Sequence, residues 1–420
     1  MIKAVTGTKD ILPGEIGKWK YIESVIASVM ESFNYGEIRT PVFEETQLFS
    51  RRIGETTDIV SKEMYTFLDR SDTSLTLKPE MTAPVVRAFI EHSLDKKQSL
   101  NKLYYVSPMF RQERPQAGRL RQFYQFGAEA IGSDNPSLDA EIIIIAYDIL
   151  KKLGLQNISL LINSLGIPSS REKYKKLLKK YLKDHLNKLS ADSRKRYDTN
   201  VLRIFDSKDK NDREIMINAP LLIEHLDDAS LEHFDKVKKH LLNARIPFEV
   251  EPRLVRGLDY YTNTTFEITS GSVGSQNALC GGGRYDLLIE ELGGPSVPAV
   301  GFAAGIDRIL LACENEESFL PPESYLDIYL VGLEKNLEPE VYKIALYLRR
   351  KGFRVEMDYS GRSVKSQMRE ANKLNAKYVL FIGGEEFKSR KARIKNMQSG
   401  EEKNISIDNK RTLVKILREI

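Results

Sequence analysis

FRQERPQAGRLRQFYQFGAE, residues 110–129, places Arg111, Arg114, Arg119, Arg121, Glu113 and Glu129 between two stretches of strand character. LYYVSPMF comes before it and RQFYQFGAEAI closes it. Both carry β-branched and aromatic residues with partial alternation, and Pro115 and Gly118 sit between them as turn formers. The pattern predicts an antiparallel hairpin with a long basic loop. Arg111 and Glu113, two positions apart at the end of the first strand, leave the same face of the sheet. A guanidinium is a planar, permanently charged donor suited to an α-phosphate, and a carboxylate accepts from an adenine amine. The residues alone leave a second reading open, because a salt-bridged hairpin on a solvated surface also alternates Arg and Glu.

Working outward, a chain of 420 residues exceeds what one hydrophobic core supports, so more than one domain is expected. With 41% hydrophobic and 29% charged residues, the composition is that of an ordinary soluble globular protein. A formal net charge of +5 permits a polyanionic partner without requiring one. The two cysteines, Cys280 and Cys313, have no CxxC spacing, which argues against a disulfide framework or a structural zinc site and for a reduced, cytoplasmic setting. MIKAVTGTKDILPGE has no apolar signal-like region, and the apolar run from Ile142 to Ala146 is far too short to cross a bilayer. Neither secretion nor a membrane span is expected.

Residues 18–33 have apolar side chains at helical spacing, and IRTPVFE reads as a strand that Pro41 confines to an edge or an interface. A helix is expected over 137–153, capped by Asn135, with Pro136 in the first turn and Gly154 past the end. After the strand-like ISLLINSLG the composition turns helical and lysine-rich. Tyr174, Leu177, Leu178, Tyr181, Leu182, Leu186 and Leu189 form one face there, and the lysines read either as a solvated face or as RNA contacts. His185, His225, His233 and His240 fall in this stretch without ligand spacing and are read as packing or surface residues. Strand character returns from Val250, so 169–244 is expected to be a helical insertion in a discontinuous domain of residues 1–168 and 245–320. NEESFLPPES, 315–324, reads as a linker, and 325–420 as a small α/β domain with a partly parallel sheet.

Neither a GxxxxGK[ST] loop nor a strand-linked GxGxxG motif occurs, so phosphates would have to be held by arginine. Arg256 in LVRGLDYY and Arg308 in GFAAGIDRILL join Arg111 as candidates, and Gly301 and Gly305 before Arg308 would let a nucleotide or a neighbouring backbone approach closely. Each arginine alone also reads as an ion-pairing residue. Together, with GGGRYD (281–286) between the last two, they are hard to explain structurally.

These motifs resemble the histidyl-tRNA synthetases, a class II aminoacyl-tRNA synthetase family, from GTKDILP to the end of the last domain. YGEIRTPVFE, FRQERPQAGRLRQFYQFG and AVGFAAGIDRILL are similar to the three class II motifs, and LVRGLDYY with GGGRYD to the two signatures of the histidine enzyme. The resemblance implies an α/β (α+β) fold: an antiparallel-sheet catalytic domain, a helical insertion and a C-terminal α/β anticodon-binding domain. It implies a histidine–tRNA ligase that forms histidyl-adenylate from L-histidine and ATP, with Mg2+ bridging the phosphates, no protein-only metal site, a histidine-accepting tRNA and a homodimer. Carried onto this sequence, Arg111 and Arg256 are catalytic, and Arg111, Glu113, Phe123 and Arg308 bind ATP. Histidine binding falls to Glu80, Met81, Thr82, Arg111, Gln125, Glu129, Arg256, Tyr260, Tyr261, Gly281, Gly282, Gly283 and Tyr285. Arg114, Gln116 and Arg119 would meet the tRNA acceptor end, and FKSRKARIK (387–395) is a candidate for phosphate contacts near the anticodon.

Two departures from the family pattern stand out, Asp307 where many relatives have Glu and Met81 where many bacterial enzymes have Gly, and KPEMTAP leans toward the archaeal or eukaryotic branch. The rival reading is the regulatory paralogue that serves histidine biosynthesis. That paralogue lacks the anticodon-binding domain and has a degraded RGLDYY signature, whereas this chain has the domain and the intact signature.

Overall fold

The computed structural model describes residues 2–50, 63–116, 118–256, 260–274, 277–318, 326–407 and 409–419. Residues 257–259 of LVRGLDYY and residues 319–324 of the expected linker lie outside them. The chain divides into two compact units, Met1–Pro321 and Pro322–Ile420.

In the first unit, α1 (Ile16–Ser32) is followed by β1 (Gly36–Glu37), β2 (Phe43–Glu45), α2 (Gln47–Ser50), β3 (Tyr65–Leu68), β4 (Ser74–Leu77) and α3 (Thr82–Glu91). The single strand expected across IRTPVFE does not form: Ile38 to Val42 lies between β1 and β2, which join different sheets. Pro41 has no N–H for a ladder and restricts the residue before it, so the chain breaks there. Both fragments are sheet edges, as a proline requires. The basic hairpin follows as β5 (Asn101–Phe110) and β6 (Gln122–Ile131), paired without a slip from Asn101↔Ile131 to Phe110↔Gln122. The strand ends at Phe110, so Arg111 and Glu113 belong to the loop rather than to the strand.

Next comes α4 (Pro136–Lys152), whose start is set by Asn135 accepting from the Ser137 N–H and whose end passes into Gly154 at φ +88°. Beyond β7 (Ile158–Ser164) lie α5 (Pro168–Lys183), α6 (Ala191–Thr199), α7 (Lys210–Ile217) and α8 (Asp228–Asn243). Tyr174, Leu178, Leu182 and Leu189 are buried as expected, whereas Leu177 is exposed. Burial of each such leucine contributes about 1.5–3 kcal/mol. This helical stretch shares one apolar cluster with Tyr260, Tyr261 and Tyr285 and is part of the same compact unit as the sheet. His233 meets Asp139 of α4 at 3.1 Å, and His225 lies against Tyr174.

The unit closes with β8 (Glu249–Val250), β9 (Thr262–Ser270), β10 (Ala278–Arg284), α9 (Leu288–Glu291), β11 (Ala299–Gly305) and α10 (Ile306–Asn315). Among the described residues, eight strands order as β1-β5-β6-β11-β10-β9-β7-β8, antiparallel except for the outer pairs β1/β5 and β7/β8. One face is covered by α1 and α4, which supply Ile22, Ile26, Ile142, Ile145 and Ile149 to the core.

The second unit runs β12 (Leu326–Gly332), α11 (Glu338–Arg350), β13 (Val355–Met357), α12 (Val364–Lys373), β14 (Ala376–Ile382), α13 (Gly384–Lys388), β15 (Lys391–Asn396), β16 (Glu402–Ser406) and α14 (Lys410–Glu419). Strands β13, β12 and β14 are parallel, and β15 and β16 continue antiparallel. In FKSRKARIK, Arg393 stacks on Phe381 at 4.6 Å, and both Arg393 and Lys395 pair with Glu402.

Candidate active site

The middle of the large sheet carries small residues in cross-strand rows. Glu129, Gly301 and Gly283 align in one row; Gly127, Ala303, Gly281 and Glu267 align in the next; Gln125 faces Gly305. Partners in register point to the same side of a sheet. Between the side chains of Glu129, Glu267 and Gln125, the glycines and Ala303 leave this floor bare, and a cavity of about 240 Å³ opens above it. Its walls come from the turn Glu80–Thr82, the loop after β5, the side chains of Arg256, Tyr260 and Tyr261, and the first turn of α10.

Arg111, Arg256 and Arg308 all line this one cavity. Arg111 donates from Nε to the Pro79 carbonyl at 2.9 Å and lies over the Phe123 ring at 5.2 Å. Burial holds its pKa below the usual arginine value, against the pull of Glu113 and other acids. Arg308 donates to the carbonyls of Gly118 (3.0 Å) and Ala278 (2.8 Å). Burial, then the neighbouring Arg119, lowers its pKa. Arg256 donates from Nη1 to Glu267 at 2.7 Å. Concentrated, partly desolvated positive charge of this kind is suited to a polyphosphate.

Next to Pro79, whose carbonyl Arg111 holds, Glu80 accepts from the backbone N–H of Thr82 (2.8 Å) and of Ala83 (3.0 Å), closing the first turn of α3. Burial raises its pKa, and those N–H bonds oppose the rise. Glu129 is fully buried, its carboxylate filling the space over Gly301. It accepts from Thr82 Oγ1 at 2.8 Å and from the Tyr285 hydroxyl at 2.5 Å, and burial pushes its carboxyl up to about 8. Tyr260 packs edge-on to Tyr285, with ring centroids 5.8 Å apart. Gln125 also lines the cavity, and its Oε1 is buried without a hydrogen-bond partner among the described residues. The cavity thus combines three arginines with a small, polar, hydrogen-bonding cluster.

Residues 7–309 match the family model described as Histidyl-tRNA synthetase, and residues 327–417 match the Anticodon binding domain. The chain belongs to the histidyl-tRNA synthetase family. It is 50% identical over 408 residues to the histidine–tRNA ligase of Caldanaerobacter subterraneus subsp. tengcongensis, covering 97% of this chain and 98% of that protein. The Geobacillus thermodenitrificans histidine–tRNA ligase is 48% identical over 404 residues, 96% of this chain and 95% of that one. The crystal structure of apo S. aureus histidyl-tRNA synthetase superposes with a TM-score of 0.84 at 39% identity, covering 100% of both chains. A Bacillus halodurans chain titled as an ATP phosphoribosyltransferase regulatory subunit/histidyl-tRNA synthetase shares the fold, with a TM-score of 0.67 at 23% identity over 91% of this chain and 99% of that one. The leaning of KPEMTAP toward archaea or eukaryotes thus sits in a chain whose relatives named here are bacterial.

Against the synthetase expectations, the structure rearranges several residues. Of Gly281, Gly282 and Gly283, only Gly281 lines the cavity. A Cβ on Gly282 would lie 2.2 Å from the Gly301 carbonyl oxygen, and one on Gly283 would lie 2.4 Å from that of Thr264, so these two permit close strand packing. Arg119, expected on the tRNA side, turns inward and pairs with Glu113 at 3.0 Å, while Arg114 and Gln116 remain exposed on the loop. Phe123, expected to stack on adenine, already carries the Arg111 guanidinium. Asp307 pairs with Lys9 at 3.0 Å and accepts from the Tyr124 N–H at 3.1 Å, a structural tie between the N-terminal segment, β6 and α10. Met81 is buried with its sulfur 3.4 Å from Thr40 Oγ1.

Sequence reasoning missed Glu267, Ala303 and Cys280. The signal for Glu267 was a lone acid inside the otherwise buried strand TTFEIT. Arg284 of GGGRYD is no ligand-facing group. It is fully buried and tied to Asp139, Asp286 and the Ser133 carbonyl.

Proposed function

We propose that this chain is a histidine–tRNA ligase: it condenses L-histidine with ATP to histidyl-adenylate and then passes histidine to the 3′ end of its tRNA. The observation that carries the reading is that one cavity gathers Arg111, Arg256 and Arg308 beside the Glu129–Tyr285–Thr82 network, in a chain whose full length matches the family. The histidine carboxylate attacks the α-phosphorus and pyrophosphate leaves. Arg111 holds the α-phosphate, Arg308 the γ-phosphate, and Arg256 stabilises charge as it develops on the pentacoordinate phosphorus. Glu113 receives the adenine amine once Arg119 releases it, with Phe123 beneath the ring.

Glu80 and Thr82 are assigned to the substrate amine. Glu129, Tyr285, Tyr260, Tyr261 and Gln125 are assigned to the imidazole and its surroundings, with Met81 and Gly281 shaping the space. A site that hydrogen-bonds its substrate discriminates sharply, because an analogue without those groups leaves buried polar atoms unpaired. The carboxylates around the cavity are each engaged, Glu113 by Arg119, Glu267 by Arg256, Asp307 by Lys9 and Glu80 by backbone N–H groups. That fits a nucleotide that brings its own Mg2+ on its phosphate oxygens, where the ion offsets their charge. Arg114 and Gln116, exposed on the loop, are assigned to the acceptor end of the tRNA, with Arg119 joining after it leaves Glu113. We assign the second unit to the anticodon, a homodimer to the edge strands near Pro41, and a cytoplasmic setting to the whole. No helix among the described residues is long and apolar enough to cross a membrane.

The test is histidine-dependent ATP–pyrophosphate exchange, followed by aminoacylation of a histidine-accepting tRNA. Both should proceed, and R256A should lose exchange. Exchange driven by glycine or proline in place of histidine would overturn the substrate assignment.

A further inference from the structure

The Arg256 side chain lies over a single cross-strand pair, Glu267 of β9 and Gly281 of β10. Glu267 fixes one end of the guanidinium through Nη1 at 2.7 Å. Gly281 leaves the space it occupies, since a Cβ there would stand 2.1 Å from Nη2 and 2.4 Å from Cζ. Among the described residues, its Nε–H is buried without a hydrogen-bond partner. A buried donor without an acceptor is disfavoured in a folded chain, so this arginine of the cavity wall has hydrogen-bonding capacity that the protein groups around it leave unfilled.

We infer that Glu267 is the positioning residue for Arg256, holding the guanidinium across Gly281 in the cavity wall. This rests on the role given to Arg256 above. An acid so near a triphosphate site repels the substrate unless its charge is compensated, and the Arg256–Glu267 pair is close to neutral. What Glu267 contributes is therefore orientation rather than attraction. A long arginine side chain has many rotamers, and one geometry is kept only if something on a rigid element holds it. Glu267 sits in the interior of a strand paired on both sides. A second acid, Asp206 on the segment between α6 and α7, also attracts Arg256 and offers the guanidinium a competing partner off the sheet. Without Glu267 the side chain can turn toward Asp206 and away from the floor.

The experiment is a double-mutant cycle in pyrophosphate exchange on the full-length chain, using R256A, E267Q and R256A/E267Q. E267Q is expected to lower kcat by about ten- to a hundredfold, the effect of misplacing a transition-state group by roughly 1 Å, with the KM for histidine held within about twofold. R256A/E267Q should be no worse than R256A alone, because Glu267 acts only through Arg256. The inference is overturned if E267Q stays within about twofold of wild-type kcat, if its loss is carried by KM, or if the losses multiply in the double variant. If E267Q does not fold, E267D, which draws the carboxylate back by one methylene, enters the same cycle under the same criteria. Failure of wild-type exchange with histidine would instead refute the function itself, and that outcome is read before any variant.

Discussion

Tyr285 donates its hydroxyl to Glu129 at 2.5 Å over Gly301, with both residues almost wholly removed from solvent. Tyr285 follows directly after β10 and Glu129 lies in β6, so the bond reaches across β11, whose Gly301 has no side chain to block it. If Glu129 accepts from the substrate imidazole, E129Q replaces an acceptor by an amide that must also face two hydroxyl donors. The expected result is a rise in the histidine KM on the order of 10²-fold or more, with Y285F showing a smaller rise of about tenfold. Steady-state exchange over a histidine titration reads both. An unchanged KM in E129Q would remove Glu129 from histidine recognition.

The same carboxyl makes stability depend on pH. Burial lifts it from an ordinary value of 4.5 to about 8, so the folded chain keeps a proton that the unfolded chain has released across that interval. More protons bound in the folded state means that stability falls as pH rises. The contribution is fully present below the unfolded value and is lost as pH passes through about 8. E129Q cannot titrate, so its Tm should gain on the wild type between pH 5 and pH 9. A Tm difference that is flat over that range would show that Glu129 titrates in the ordinary carboxylate range.

Much of this was legible before any coordinates. Alternation and turn chemistry located the β5–β6 hairpin, and Asn135, Pro136 and Gly154 bracketed α4, because caps and strand periods are local properties. What a single sequence does not carry is register. Gly281, Gly282 and Gly283 are chemically identical, and only pairing with Glu267, Phe302 and Thr265 decides which faces the cavity and which faces a neighbouring strand. The Arg119–Glu113 pair is hidden from the sequence for a related reason. A loop arginine has many possible partners, and the turn closed by Gln116 and Arg119 aims this one at Glu113. Pro41 correctly signalled an edge, but that it splits the strand between two sheets depends on tertiary pairing.

Arg284 and Asp139 form a pair with side chains 1% and 0% exposed, and Asp286, the Ser133 carbonyl and His233 take up further capacity. Removing one partner strands a charge in the interior. D139A is expected to lower stability by about 3–5 kcal/mol, measured by urea unfolding at neutral pH. A change under about 1 kcal/mol would mean that water or a rearranged neighbour replaces the carboxylate.

Gly301 and Gly305 both lie on β11 and both line the cavity, yet the space beside them differs. A Cβ at Gly301 would fall 1.8 Å from Glu129 Oε2 and 2.6 Å from the Ala128 carbonyl oxygen, both on the adjacent strand. Neither neighbour can yield easily, since one is backbone and the other is held by Thr82 and Tyr285. At Gly305 the closest atom to an added Cβ is Arg308 Cγ at 4.0 Å, and the backbone is in the extended region open to any residue. G301A should therefore destabilise the chain by about 1–3 kcal/mol through overpacking. G305A should be neutral or gain about 0.4–1 kcal/mol, because alanine narrows the unfolded ensemble. Urea unfolding of the two variants side by side separates the cases, and equal stabilities would show that the strand shifts to admit a methyl group at position 301.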